Sequence, residues 1–293
     1  MWINIITALI NILKYLFKKK EQVQVNEQVY QEIKNTPKVE EILPVESVEP
    51  KIEEPVNQTI NPVQEHLNQS NLKIIQQLLP PNQYVQDSKF KVQQVYLHHT
   101  AGGTAQSTIN YWLSNKERIS THYIIDRDGT IYQCIPLEKA WGYHLYVASP
   151  GNKIDRKYKK LGSKYDAQSI GIELASYGYV NFIDGKFVNY VGKLIHHDRV
   201  VKLDKPCKGY SYWEDYTEDQ VKALELLLLH LLQEYPILQH GMKEDYSNLD
   251  EIDLDALEMK PGIYSHQNVR SDKYDVVPSP RLIKMLNSLK ANI

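Results

Sequence analysis

Two adjacent histidines at the end of an apolar run are the first residues in this chain with an evident chemistry. His98 and His99 follow VYL directly and precede Thr-Ala-Gly-Gly, so they end a predicted strand. Because side chains alternate across a strand, the two imidazoles face opposite sides, and only one can join a given site. Histidine is often only a satisfied polar residue, so the pair alone does not define a site.

Carboxylates and an amine occur in two further stretches. Glu173 interrupts the apolar run SIGIEL, and a buried carboxylate needs a partner or a cation. In SHQNVRSDKYD, His266 follows the strand-like GIYS, and Lys273 and Asp275 are two residues apart, so both can point to one side of an extended segment. This stretch has no helical or strand periodicity, which suits either the edge of a metal site or a polar surface loop.

Together these residue types are the parts of a hydrolytic zinc site. Two imidazoles and one carboxylate leave one zinc position open for water, as in catalytic rather than structural sites. A further carboxylate can deprotonate that water, and an ammonium can stabilise the oxyanion that forms on an attacked carbonyl. None of the separate spacings decides the matter.

Strands must position these residues. VQQVYLHHT and QSIGIEL read as strands, and THYIIDRDGTIYQCI reads as two strands around the Asp128-Gly129 turn. The stretch STINYWLSNK between the first two predicts a helix. Strands mixed with helices predict one α/β domain of about 200 residues with a central sheet.

Three further helices are predicted from their ends. Thr217 and Gln220 form a capping box before an apolar helix that stops at Pro236. The last helix starts at Ser279, with a proline in its first position. A short helix is expected over residues 71–79, before the Pro-Pro pair that follows.

The chain divides into three predicted regions: an apolar helix over 1–20, a linker rich in Glu, Val, Gln and Pro over 21–70, and a catalytic domain over 71–293. Residues 2–17 form an apolar run closed by three lysines, shorter as a helix than the roughly 30 Å hydrocarbon core. Membrane attachment and self-association through residues 2–18 both stay open. The linker has no sustained apolar period and predicts a tether.

Composition excludes some classes of partner. The formal net charge is -2, with 34 Lys and Arg against 36 Asp and Glu, so no basic field attracts nucleic acid. Cys134 and Cys207 are too few for a disulfide framework or a thiolate zinc site, and whether they pair stays open. The 21 tyrosines against four Phe and four Trp favour a sugar or peptide groove, because tyrosine combines an apolar face with a polar tip.

Five blocks carry a resemblance to a known family. VYLHHTAGG, STHYIIDRDGTIYQCIP, KAW, SIGIEL and the SHQNVRSDKYD stretch occur in the order seen in zinc-dependent N-acetylmuramoyl-L-alanine amidases of type 2, which share a fold with peptidoglycan recognition proteins. The resemblance covers about 92–289. It implies a mixed central β-sheet flanked by helices, a zinc ion in a surface groove, and hydrolysis of the amide between the lactyl group of N-acetylmuramic acid and L-alanine of the peptidoglycan stem peptide.

The resemblance also assigns roles to single positions. His98, His266 and Asp275 match the zinc ligands, Glu173 matches the general base of one branch, and Lys273 matches the catalytic lysine.

Other matched positions are expected in the groove or beside the ligands. His99 is expected to turn away from the metal. Another branch has a tyrosine where this chain has Thr121, and the next residue is His122. The family's adjacent Trp and His are separated here, as Trp141 and His144, and the usual Pro-Gly after the last ligand is replaced by VVPSP.

Two insertions and three alternatives remain. The insertions near 145–167 and 240–262 could wall the groove, bind a partner or be solvated elaboration. The alternatives are a peptidoglycan-binding module without catalysis, a membrane-tethered structural or virion protein with the same fold, and an enzyme that cuts another amide. The expected location is the cell envelope, membrane-associated and facing peptidoglycan, for either a bacterial enzyme or a phage endolysin.

Overall fold

A six-stranded mixed sheet organises residues 72–292, the part of the chain that the computed structural model describes. The strands of this part are β1 (Ile74–Gln76), β2 (Val85–Gln86), β3 (Gln94–His99), β4 (Tyr123–Ile125), β5 (Ile131–Gln133), β6 (Ala140–Trp141), β7 (Ser169–Leu174), β8 (Val180–Ile183), β9 (Lys186–Asn189), β10 (Leu194–Ile195), β11 (Val200–Cys207), β12 (Tyr210–Glu214) and β13 (Gly262–Ser265). The order in the central sheet is β1-β5-β4-β7-β3-β13. Within the central sheet, only the β4–β5 pair is antiparallel, which confirms the predicted hairpin.

The register of the parallel strands brings the chemical residues to one edge. His98 on β3 pairs with Glu173 on β7, and Leu97 on β3 pairs with Ser265, the last residue of β13. Since the carboxyl ends of parallel strands meet at the same edge of a sheet, His266 lies beside the other two.

The helices begin and end where their caps are. They are α1 (Ala105–Ser114), α2 (Arg156–Lys159), α3 (Glu218–Glu234), α4 (Leu254–Leu257) and α5 (Pro280–Leu289). The Thr217–Gln220 capping box is present before α3, and the Ser279 side chain accepts from the Leu282 backbone N–H at the start of α5. Helices α3 and α5 bury their leucines against the apolar side chains of the central sheet, which confirms both predictions.

The helix expected over 71–79 is wrong. Residues 74–76 form strand β1 instead, in parallel register with β5, where Ile74 pairs with Ile131. The backbone N–H groups of Gln77 and Leu79 continue the pairing by donating to carbonyls of residues 133 and 134. The open edge of β5 supplies these hydrogen bonds, and the side chain of Ile74 packs on the core, so tertiary pairing overrides the local helical pattern.

A second, smaller unit of sheet lies between β7 and α3. Strands β8, β9 and β10 form a three-stranded antiparallel sheet, and β11 and β12 form a hairpin with an irregular register. A bridge between Tyr179 and Trp213 joins the two parts. The sequence analysis did not predict this insertion.

The two predicted insertions pack on each other. The Tyr165 hydroxyl of the first donates to the Leu257 carbonyl of the second at 2.7 Å. Both contribute to one buried apolar cluster with Tyr96 and Tyr264 of the central sheet. This part of each insertion is therefore a structural layer and not solvated elaboration.

Two further predictions concern the cysteines and the N-terminal regions. Cys134 and Cys207 are both buried and free. The predicted regions 1–20 and 21–70 lie outside the described residues, so membrane attachment and self-association stay predictions. Among residues 72–292 no helix is long and apolar enough to cross a membrane.

Candidate metal centre

Three donor atoms from three elements converge at the edge of the central sheet. The Nδ1 atoms of His98 and His266 are 3.1 Å apart, and Asp275 Oδ2 lies 2.9 Å from the first and 2.8 Å from the second. His98 belongs to β3, His266 follows β13 directly, and Asp275 lies in the loop before α5. Among residues 72–292, these three side chains form the one group of His, Cys, Asp and Glu whose spacing could hold a metal ion.

The ring of His266 is held with its Nδ1 lone pair toward the other donors. Its Nε2 lies 3.0 Å from the Leu145 carbonyl oxygen, and a carbonyl only accepts, so Nε2 carries the hydrogen. In the neutral form of the ring, His266 therefore presents an unprotonated Nδ1 to the Asp275 carboxylate. The Gln267 backbone N–H donates to the Asp275 carbonyl at 3.1 Å and ties the two ligand loops together.

This arrangement fits a divalent cation. Lone pairs of nitrogen and carboxylate oxygen that face each other at about 3 Å repel unless a proton or a cation lies between them. Zinc with tetrahedral bonds of about 2.0–2.1 Å sets its ligand atoms roughly 3.4 Å apart, slightly more than the separations found here. Small outward movements of the three side chains therefore make room for the ion.

The protonation states suit the same ion. Burial lowers the pKa of His98 to about 4, so its ring is neutral at pH 7 and keeps a lone pair to offer. Burial alone would raise the pKa of Asp275, but the adjacent His266 and His98 rings, through the charge and hydrogen bonds that they offer when protonated, hold it well below its usual value. Two neutral imidazoles and one carboxylate form the ligand set of a catalytic zinc site.

Glu173 lies beside the donors without a partner of its own. Its Oε2 is buried and has no hydrogen-bond partner within the described part of the chain. Burial raises the pKa of this carboxyl well above its usual value, the Asp275 carboxylate raises it further, and the Lys273 ammonium opposes the rise. A buried carboxyl with a raised pKa next to a metal site is typical of a general base.

A cavity of about 380 Å³ opens over the site. His98, His266, Asp275, Glu173 and Lys273 all line it, so the structure brings together the five residues assigned by resemblance. Its lining also includes four tyrosines that the sequence analysis did not single out: Tyr177, Tyr179, Tyr190 and Tyr274. The high tyrosine count was the only signal for them.

Two of the tyrosines tie the small insertion to the site. The Tyr190 hydroxyl donates to the Ala101 carbonyl at 2.6 Å, in the loop after β3. Tyr179 stacks on Tyr210 with ring centroids 3.8 Å apart and lies 5.6 Å from the ring of Tyr274. The insertion between β7 and α3 therefore contributes a wall to the cavity.

Three of the remaining candidates line the cavity as well. The ring of His99 lies against Trp213, with ring centroids 6.4 Å apart, and its Nδ1 is buried with no hydrogen-bond partner among residues 72–292. Thr121 Oγ1 donates to the Tyr123 carbonyl at 2.9 Å. His144 reaches His98, with its Nδ1 2.9 Å from His98 Nε2.

His122 and Trp141 are not among the residues that line the cavity. His122 stacks on Phe90, and its Nε2 donates to the Ala140 carbonyl at 3.1 Å. Trp141 Nε1 lies 3.4 Å from an Asp87 carboxylate oxygen. His122 directly follows Thr121, and alternation along the chain turns consecutive side chains to opposite faces.

Comparison with known proteins gives one family. The sequence model of N-acetylmuramoyl-L-alanine amidases, Amidase_2, matches residues 88–279. No curated protein matches the chain.

Several solved structures are similar. The Staphylococcus aureus hydrolase AmiA in complex with its ligand is 13% identical over 82% of this chain and 94% of its own, with a TM-score of 0.43. The Ph2119 endolysin from Thermus scotoductus MAT2119 bacteriophage Ph2119 is 16% identical over 73% and 99%, with a TM-score of 0.40. The amidase LysC from Clostridium intestinale URNW is 17% identical over 75% and 98%, with a TM-score of 0.39.

Proposed function

The chain belongs to the N-acetylmuramoyl-L-alanine amidase family of enzymes, and we propose that it cleaves the amide between N-acetylmuramic acid and L-alanine in peptidoglycan with the help of zinc. One observation carries the zinc-dependent proposal. Three lone-pair donors converge within 3.1 Å of one another in a cavity that also holds the unpartnered carboxyl of Glu173.

His98, His266 and Asp275 would hold the ion. When bound, zinc supplies a Lewis acid for the amide carbonyl and for the attacking water. The protein's part is to keep the His98 ring neutral, which its burial favours, and to place the Asp275 carboxylate beside both rings.

Glu173 moves the proton. Its buried carboxylate accepts a proton from the attacking water and returns it to the nitrogen of the departing L-alanine. A raised pKa suits the first step, because a carboxylate with a raised pKa takes a proton from water more readily than an ordinary carboxylate does.

Lys273 stabilises the developing oxyanion. Its side chain lines the cavity two residues before Asp275, and its charge lowers the pKa of Glu173 and of His98. An ammonium near the reacting carbonyl in a partly dry cavity stabilises the transition state more than the neutral substrate.

The tyrosines of the cavity would bind the substrate. A muramyl peptide presents sugar hydroxyls, an apolar ring face and peptide groups, and tyrosine offers an apolar face with a hydroxyl at its tip. Tyr190 and Tyr274 are 48% and 41% exposed, so their faces are free to take a ligand.

The location of the enzyme is a separate part of the proposal. The apolar run 2–17 attaches the chain to a membrane of the cell envelope, and residues 21–70 let the domain reach peptidoglycan. The full chain should sediment with lipid vesicles, and a chain that starts at residue 21 should stay in the supernatant. Equal sedimentation of both would contradict the anchor.

Purified cell-wall sacculi test the reaction. Mass spectrometry should find released stem peptides with a free L-alanine amine, metal analysis should find equimolar zinc, and a chelator should stop the release. Binding to sacculi without release would favour a binding module, and a domain without zinc would favour a structural protein. Free amines other than that of L-alanine would show that another amide is cut.

A further inference from the structure

We propose that His144 and Ser169 are positioning residues that set the tautomer of His98 and so direct its Nδ1 lone pair at the metal. The inference rests on the proposed zinc site, but the tautomer itself can be measured without metal. Its basis is a chain of buried hydrogen bonds that runs from a backbone carbonyl to the first ligand.

The chain starts at a carbonyl oxygen, which can only accept. Ser169 Oγ lies 2.7 Å from the Tyr165 carbonyl, so the hydroxyl hydrogen is donated there. The oxygen of Ser169 is then free to accept, and His144 Nε2 lies 3.1 Å from it. His144 therefore carries its hydrogen on Nε2.

The next bond follows from the first two. A neutral His144 with its hydrogen on Nε2 has a lone pair on Nδ1, and His98 Nε2 lies 2.9 Å away. His98 must donate from Nε2, which leaves Nδ1 without a hydrogen. That atom is the one 2.9 Å from the Asp275 carboxylate and 3.1 Å from His266 Nδ1.

The reversed chain would block the metal. If His144 donated from Nδ1, His98 would accept at Nε2 and carry its hydrogen on Nδ1, aimed at Asp275. Ser169 would then face an unprotonated His144 Nε2 while its only hydrogen is held by the Tyr165 carbonyl. Ser169, His144 and His98 are 0%, 6% and 2% exposed, so water does not readily replace the missing partner.

The backbone around His144 is built to hold the ring there. The buried carboxylate of Asp166 accepts from the backbone N–H groups of His144 and Leu145, both at 2.8 Å. Gly171 leaves the space that the ring fills, since a Cβ at this position would lie 3.0 Å from His144 Nδ1.

Two consecutive residues thus orient both histidine ligands. The side chain of His144 accepts from His98, and the carbonyl of Leu145 accepts from His266. Hydrogen bonds of this kind fix the tautomer of metal-bound histidines, and their loss weakens metal binding by about 10–100-fold.

The test compares two replacements of His144. His144→Phe keeps an aromatic ring but removes the acceptor, and His144→Gln can keep an acceptor oxygen. Competition with a chromophoric chelator should show zinc binding about 10–100-fold weaker in His144→Phe, with much of the loss recovered in His144→Gln. His122→Gln is the matched control, because it also replaces a buried histidine but one without contact to a ligand.

The tautomer is read directly by ¹⁵N NMR of the imidazole nitrogens in metal-free protein. Asp275 Oδ2 competes for a hydrogen on His98 Nδ1 when no ion is bound, so the quantity compared is the fraction of His98 that carries its hydrogen on Nε2, which should be higher in the natural chain than in Ser169→Ala. Equal fractions in the two chains overturn the inference, as does zinc affinity in His144→Phe equal to that of the control. If the natural chain binds no zinc, the zinc proposal fails and the NMR result alone decides the inference.

Discussion

Replacing Glu173 by glutamine should change activity and stability in opposite directions. The substitution keeps the shape of the side chain and leaves the donors His98, His266 and Asp275 in place. It removes the proposed general base and also removes the charge of a carboxyl whose Oε2 is buried with no hydrogen-bond partner in the described part of the chain. Residues that serve catalysis at the expense of stability are expected to behave in this way.

The magnitudes follow from the surroundings of the carboxyl. Loss of a general base lowers the rate by about 10²–10⁴-fold, or about 3–5 kcal/mol of transition-state stabilisation. Glutamine remains polar but carries no charge, so the substitution relieves the cost of a buried, unpaired carboxylate, about 1–3 kcal/mol in the free energy of unfolding. For a domain of this size, such a gain in the free energy of unfolding raises the Tm of the metal-free protein, measured in chelator, by about 2–10 °C.

Glu214 is the matched control for stability. It is also a buried glutamate, but Arg127 and Arg199 pair with one of its oxygens, and the other accepts from the Tyr177 backbone N–H at 2.6 Å. Glu214→Gln should therefore destabilise the domain, by about 3 kcal/mol, because the arginines lose their partner.

Turnover of sacculi and thermal unfolding in chelator are the two assays. The catalytic role of Glu173 would be refuted by a Glu173→Gln enzyme within about tenfold of the natural rate, outside the range for loss of a general base. A fall in Tm as large as that of Glu214→Gln would refute the assignment of Glu173 as a buried, unpaired carboxylate. Zinc content should be unchanged in both variants.

Two further predictions concern acid stability and substrate binding. Burial lowers the pKa of His122 from 6.5 to about 4, so the stability that its neutral ring gives is present above pH 6.5 and is lost as the pH falls toward 4, by about 3 kcal/mol in total. In urea unfolding of metal-free protein, the free energy of unfolding of His122→Gln should therefore fall between pH 7 and pH 4 by about 3 kcal/mol less than that of the natural chain. An equal fall in the two chains would contradict this prediction. Tyr190→Ala should raise KM for a soluble muramyl peptide by about 3–10-fold with kcat nearly unchanged, from the loss of one aromatic contact, and an unchanged KM would remove Tyr190 from the substrate wall.

The strands that hold the site could be predicted because local pattern and tertiary environment agree there. VYLHH is an apolar run that ends in two histidines, and SIGIEL is an apolar run interrupted only by Glu173 near its end, as buried parallel strands that carry a site read. The alternation rule also places His98 and His99 on opposite sides. The convergence of His266 and Asp275 on His98 needed the family resemblance, because no local rule relates residues 168 and 177 positions apart.

The insertion between β7 and α3 shows where local reading fails. Its strands are short, and the one hairpin signal in the sequence VNFIDGKFVN is Asp184-Gly185, between β8 and β9. The wall that the insertion adds to the cavity depends on two tyrosines. Tyr190 contacts the loop after β3, and Tyr179 contacts Tyr274 in the loop that carries Asp275. Such contacts are set by the packing of the insertion and not by the residues next to them.

His144 shows a different limit. The sequence shows a histidine at this position, but its role depends on which partner donates in each hydrogen bond. Those directions follow from two carbonyls that can only accept: one accepts from Ser169, and that of Leu145 accepts from His266. Two residues, Gly142 and Tyr143, separate Trp141 from His144, and the Asp166 carboxylate from the first insertion then holds the His144 backbone. The first insertion, for which the sequence leaves solvated elaboration open, therefore acts on both proposed histidine ligands: Asp166 holds the backbone of His144, which contacts His98, and the Leu145 carbonyl accepts from His266.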